Sequence, residues 1–339
     1  MNKSKVYFTN LRTNSNMTLL QKLDRLVKKA GIENIDFNEK FVAIKIHFGE
    51  PGNLAYLRPN YSKVIVDLIK SKNGKPFLTD CNTLYVGRRK NAIEHMDAAY
   101  ENGYNPFATG CHVIIADGLK GTDEAIIPVE GGEYVKEAKI GQSIADADIF
   151  ISMNHFKGHE STGFGGALKN IGMGCGSRAG KMEMHCSGKP VVKQNKCVGC
   201  GRCIGTCNFD AIENLEYSAN DILNKKIAEY SKAVLSGKEH FHISFVVNVS
   251  PNCDCHAEND AAIIPDVGMF ASFDPVALDM ACVDAANKQV VIRDSYLGEK
   301  EQHTSDHFIN NHPETNWEVC IDHAVKLGLG NKEYKLIEI

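Results

Sequence analysis

The chain has 339 residues, 43 % of them hydrophobic and 24 % charged, with a mean hydropathy of -0.25, which describes a folded globular protein with a sizeable core. A formal charge of -4 and a pI near 6.4 argue against a nucleic-acid or anionic-membrane partner. The N-terminal stretch lacks an apolar leader and no run approaches the ~18 apolar residues of a membrane span, so the expected location is cytoplasmic.

In chain order, Leu19, Leu23, Leu26, Val27 and Ala30 recur at helical spacing before Gly31, a suitable C-terminal cap. Apolar runs at 41–48, 75–80, 112–117 and 147–153 read as buried parallel strands, with helices between them at about 61–68 and 91–100. This βα alternation implies an α/β fold: an open, mostly parallel sheet with helices on both faces and ligand sites in the loops after the strand C-termini. His47, Glu50, Asp80, Asn82 and Asp117 all follow such strands and are expected to converge on one crevice. Arg88 and Arg89 read as a solvated pair.

From Met153 to Lys189 runs "MNHFKGHESTGFGGALKNIGMGCGSRAGKMEMHCSGK", with eight glycines between Gly158 and Gly180. Glycine costs helix stability, so close approach of the backbone to a ligand is the natural reason for them, above all at Gly163, Gly165 and Gly166. No complete phosphate-loop or dinucleotide pattern is present. His155 and His159 are four apart, a spacing open to metal ligation, to acid/base work or to plain hydrogen bonding, and the glycines favour a loop here. Lys169 falls near an expected helix start, where the helix dipole offers a lysine nothing, so it is expected to face a ligand.

Next comes "KCVGCGRCIGTCNFDAI", with Cys197, Cys200, Cys203 and Cys207 in C-x2-C-x2-C-x3-C spacing. Thiolates so spaced, with glycines between them, can wrap a 4Fe-4S cluster. Zinc is the runner-up, although its sites usually pair two separated C-x2-C knuckles. Disulfides between such near neighbours, in a reducing compartment, are the poorest reading. The α/β pattern then resumes with a helix around 223–234, a strand at 240–249, a helix capped by Asp274 and Pro275, and a last helix at about 317–327. Residues 188–217 are therefore expected to be an insert in one host domain formed by 1–187 and 218–339. Cys253 and Cys255, in "SPNCDCHAEND", are either metal ligands or a polar turn. The cofactor expected is one 4Fe-4S cluster, or two if distant thiols join the run. Cys282 and Cys320 lie on apolar helix faces and read as core.

The cysteine run resembles half of a bacterial-type ferredoxin, with Asn208 where those proteins usually carry proline. The order "IHFGEPGN", "TDCNTLY", the glycine and histidine loop, the insert, "PNCDCH" and "ASFDPVALD" resembles the domain of unknown function 362 family of iron–sulfur proteins over most of the chain. That resemblance implies an α/β host carrying 4Fe-4S centres. A fainter similarity links His159, Gly163, Phe164, Gly165, Gly166, Lys169 and His185 to the loop of nickel-pincer lactate racemases. It would make His159 a proton-transfer base, Lys169 a cofactor anchor and His185 a metal ligand.

Three functions follow as expectations. In the first, the chain is a cytosolic redox protein whose cluster stands beside a cleft lined by His155, His159 and Lys169. It would serve a redox partner protein or a small-molecule substrate. In the second, it is a non-redox racemase- or lyase-like enzyme with the cluster as Lewis acid or staple. In the third, it is a module that delivers electrons or clusters.

Overall fold

The apolar runs of the first half become strands, buried on both sides except at Val113–Ile115, an edge strand where Ile114 is exposed. The computed structural model describes residues 3–84, 87–185 and 220–339. Cys197, Cys200, Cys203 and Cys207, the whole of the expected insert and Cys186 lie outside the described residues. The strands, in chain order, are β1 Ser4–Asn10, β2 Phe41–Lys45, β3 Lys75–Asp80, β4 Val113–Ile115, β5 Glu124–Pro128, β6 Glu137–Gly141, β7 Ile149–His155, β8 Lys157–His159, β9 Gly163–Gly165, β10 Glu239–Val246, β11 Gly268–Ser272 and β12 Tyr334–Glu338.

Eight of them form one sheet in the order β12-β1-β11-β10-β7-β2-β3-β4, and only β11 runs against its neighbours. Strands from before and after residues 186–219 share this sheet. Alternation along each strand feeds two cores. Val42 and Ile44, Ile149 and Ile151, and Met269 and Ala271 face one, while Ala43, Phe150 and Phe270 face the other. Helices cover both faces, which is why the central strands read as unbroken apolar runs.

Helix ends follow local chemistry. Thr18 and Gln21 form a reciprocal capping box for the helix Leu19–Ala30, and Gly31, at φ 98°, closes it in the left-handed region. Asp274 accepts from the amides of Val276 and Ala277, both at 2.9 Å, to start the helix Pro275–Asn287. The helix Asn220–Leu235 carries the fully buried Glu229, whose carboxylate accepts from the amides of Glu133 at 2.6 Å and Val135 at 2.7 Å and meets His323 Nε2 at 2.9 Å.

The sheet sets the site. From β2 the order runs outward through β3 to β4, and from β7 outward through β10, so the chain changes direction between β2 and β7. A crevice opens at the C-terminal ends of strands on either side of such a point. Asp80 closes β3, His155 closes β7 and His47 follows β2 by two residues.

Candidate metal centre and ligand cleft

Two thiols and an imidazole meet at this crevice. The ligand atoms of His47, Cys253 and Cys255 all lie within 4.8 Å of one another. Cys253 and Cys255 Sγ are 2.7 Å apart, and Cys255 Sγ stands 3.5 Å from His47 Nε2. Lys169 Nζ, on the helix Ala167–Cys175, donates to Cys253 Sγ at 3.1 Å. The hydrogen bond from Cys255, opposed by burial and helped by the Lys169 charge, holds Cys253 well below the ordinary thiol range. Cys255, bonded to that thiolate and buried, is pushed well above it. The pair thus shares a proton, which a metal would displace. For Lys169 burial opposes the charge, but the two sulfurs outweigh it and the ammonium is held above the usual lysine range.

The surroundings prepare the third donor. Burial and then the nearby Arg89 charge push the His47 ring well below the ordinary histidine range, so it is neutral. A neutral ring is the ligating form. Arg89 Nη1 lies 2.9 Å from His47 Nε2 and competes for that lone pair, while Arg89 Nε is fixed by Glu50 Oε2 at 2.7 Å. Two sulfurs and an imidazole suit zinc, iron or an iron–sulfur centre and do not suit magnesium or calcium. Among the described residues, the donor set therefore fits a soft transition metal.

Asp254, between the two cysteines, fixes the loop rather than facing the cleft. It is fully buried, with His155 Nδ1 at 2.9 Å and Lys157 Nζ at 3.1 Å. Burial opposes its charge, yet His155 and Lys157 hold the carboxyl well below the usual range. His155 Nε2 meets the Val247 carbonyl at 2.8 Å, so both its ring nitrogens face acceptors and neither is open to a substrate. The segment expected as a loop is in fact the end of β7 followed by the β8–β9 hairpin. Lys157 is the residue that holds it there.

His159, Lys169 and His185 do come together: all three line a cavity of about 490 Å³ that Cys255 and His256 also face. His159 Nδ1 accepts from the amides of Ser161 at 3.1 Å and Thr162 at 3.2 Å. Burial, then the neighbouring His159 and Lys169, push His185 down to about 3. Glu160 pairs with His256 at 3.1 Å across the rim.

The glycines pack chiefly against the protein itself. Gly163 has φ +82° and any Cβ there would lie 3.0 Å from Trp317 Cβ. A Cβ on Gly165 would touch Lys157 Cε at 3.4 Å. One on Gly166 would meet Asp279 Oδ1 at 2.2 Å, because Asp279 accepts from the amides of Ala167 at 2.6 Å and Leu168 at 2.9 Å. The helix N-terminus in this loop already has its anion. Cys282 and Cys320 are buried in the core, as expected. Arg89 corrects an expectation, since it is 1 % exposed rather than solvated; its neighbour Arg88 does pair at the surface, with Glu101. Lys45, Lys157, Lys181 and Asp279 escaped the sequence reading, although a lysine inside the apolar run "FVAIKIHF" is a visible signal.

A family model described as "Domain of unknown function (DUF362)" matches residues 42–284. The chain belongs to that family. No curated protein matches this DUF362 chain. Among solved structures, a Thermotoga maritima protein is similar at 14 % identity and a TM-score of 0.44, covering 78 % of this chain and 57 % of that one. The lactate racemase apoprotein from Thermoanaerobacterium thermosaccharolyticum is similar at 13 % identity and a TM-score of 0.44, covering 84 % of this chain and 58 % of that one. The chain thus spans a little over half the length of each. No helix among the described residues is long and apolar enough to cross a membrane.

Proposed function

We propose that this DUF362 protein is an iron–sulfur redox protein that works on a small molecule in the cleft. The run Cys197, Cys200, Cys203 and Cys207 holds a 4Fe-4S cluster, and Cys253, Cys255 and His47 hold a further metal centre in the cleft wall. The observation that carries this reading is the meeting of these last three side chains beside a cavity of about 490 Å³. Bound there, the metal supplies one-electron or Lewis-acid chemistry. The chain's own residues set its surroundings. Lys169 balances the thiolate charge, Arg89, fixed by Glu50, helps keep His47 neutral, and Asp254 pins the C-x-C loop between His155 and Lys157. A redox partner protein would exchange electrons with the ferredoxin-like run in the cytoplasm.

A second reading has one observation in its favour. His159, Lys169 and His185 share the cavity, so paired acid/base chemistry of a racemase or lyase fits the same space.

Anaerobic purification with metal and sulfide analysis, and EPR after dithionite reduction, tests the proposal. The expected chain carries about four irons from the run and further metal that is lost in Cys255→Ala and in His47→Ala. It also gives a low-spin signal on reduction. Unchanged metal in both variants refutes the second centre. A chain with no reducible centre refutes the redox role and leaves the acid/base reading, which proton exchange on a bound substrate would then test through His159→Ala.

A further inference from the structure

The cleft has two parts. Below the thiols lies a recess of about 50 Å³, and Thr83, Lys169, Met173, Lys181 and Cys255 line both it and the larger chamber of about 490 Å³. These shared walls make the two immediate neighbours.

The recess is strongly cationic. Lys45, Arg89, Lys157, Lys169 and Lys181 face it, and Asp80 is the carboxylate among its described lining. Four of these cations are already matched: Lys45 by Asp80, Arg89 by Glu50, Lys157 by Asp254 and Lys169 by the Cys253 sulfur. Lys181 is different. It is 7 % exposed, and among the described residues its ammonium has no carboxylate within ion-pair distance, only the carbonyls of Gly174 at 3.4 Å and Gly176 at 2.5 Å. A buried ammonium held by two carbonyls, with Asp117 and Asp80 near but outside ion-pair distance, keeps a donor and a directly unpaired charge for a ligand.

Size narrows the ligand. A water needs roughly 10–15 Å³, so a recess of about 50 Å³ has room for roughly three to five water-sized groups. A carboxylate fits with room to spare, whereas a tetrahedral phosphate would fill the recess entirely. Among its described lining the chamber above has one apolar side, made by Leu84, Met173, Leu223 and Ile227, set against polar side chains that include His159, Glu160 and His185, and its volume is that of a site for a sizeable organic molecule.

We propose that the cleft binds an organic carboxylate with an apolar body, the carboxylate seated in the recess on Lys181 and the body lying in the chamber against Met173, Leu223 and Ile227. This names the substrate class of the redox reading given above and rests on it for the role of the bound molecule. It places the polar end of the ligand beside Cys255, next to the metal centre.

The probe pair is 1-pyrenebutyrate and the neutral 1-pyrenebutanol, titrated by fluorescence into anaerobically purified full-length protein whose metal content is measured on the same sample. The acid is expected to saturate one site per chain and to bind at least tenfold tighter than the alcohol. Lys181→Met should remove that preference while leaving alcohol binding unchanged, and Lys181→Arg should restore part of it. Equal affinity for acid and alcohol in the native protein, an unaltered preference in Lys181→Met, or no saturable binding of either probe overturns the proposal. The native comparison needs no variant to fold. Discrimination by a metal-free chain sinks the metal centre and spares the carboxylate site, and a metal-loaded chain without discrimination does the reverse.

Discussion

Replacing Lys45 by methionine deletes one half of a deeply buried ion pair at the crevice. Lys45 and Asp80 lie 3.1 Å apart with side chains 1 % and 4 % exposed, and the lysine also donates to Asn170 Oδ1 at 2.8 Å. Breaking such a pair by removing one partner strands a charge out of reach of water and costs about 3–5 kcal/mol. For a chain of this size that lowers the melting midpoint by roughly 10 °C. The effect has a pH signature. Burial works against the Asp80 charge, but Lys45, His95 and His47 together hold its carboxyl below the usual range in the folded protein. A carboxylate with a depressed folded value adds stability above its unfolded value of about 3.9, and that stability is lost as pH falls toward the folded value. The penalty of Lys45→Met should therefore be full at pH 7 and shrink as the solution is acidified below about 4, where Asp80 in the variant takes up a proton and needs no partner. Lys45→Met/Asp80→Asn should recover most of the loss at pH 7. Urea unfolding at several pH values measures all three proteins. A loss under about 1 kcal/mol at pH 7, or one that stays constant on acidification, refutes the buried-pair account.

Two further outcomes follow from other buried carboxylates. Glu229→Ala leaves the amides of Glu133, Tyr134 and Val135 without their acceptor, and at about 1–3 kcal/mol per stranded group it should cost at least about 3 kcal/mol in thermal or urea unfolding; a near-neutral result would show that water reaches the loop. Asp117 is pushed up to about 6 by burial, and its Oδ2 has no hydrogen-bond partner among the described residues. A folded value above the unfolded one means that the native state holds the proton longer, so this residue makes stability fall as pH rises from about 4 to about 6, by on the order of 2–3 kcal/mol. Asp117→Asn should flatten that slope and match or exceed the native protein at pH 7, and an unchanged slope would clear Asp117 of the effect.

Periodicity and cap chemistry were enough to place the parallel strands and the main helices. The run at 75–80 is β3 itself, Gly31 closes the first helix as its position implied, and Asp274 with Pro275 starts the helix expected there. The short strands β8 and β9 were not legible, because "KGH" and "GFG" have no alternation and pair only through a hairpin held by Lys157 and Trp317. β11 and β12 are ladder partners of β1, supplied by chain ends more than 250 residues away, and nothing local announces such pairing.

By itself the sequence determined the fold class, through the alternation of doubly buried strands with capped helices, and it marked Cys253, Cys255, His159 and Lys169 as chemically unusual by type and spacing, and His185 only through a family resemblance. Only the tertiary structure decided which of these meet. His47 reaches Cys255 across 208 positions of chain, and it does so because the C-terminal edge of the sheet is where β2, β7 and the loop after β10 converge. Likewise only packing separated His155, consumed by Asp254 and a carbonyl, from His159 on the cleft wall, and only burial turned Arg89 from an expected surface cation into a partner of His47 and Glu50. Spacing along a chain constrains near neighbours; the partner that satisfies or strands a buried charge comes from elsewhere in the fold.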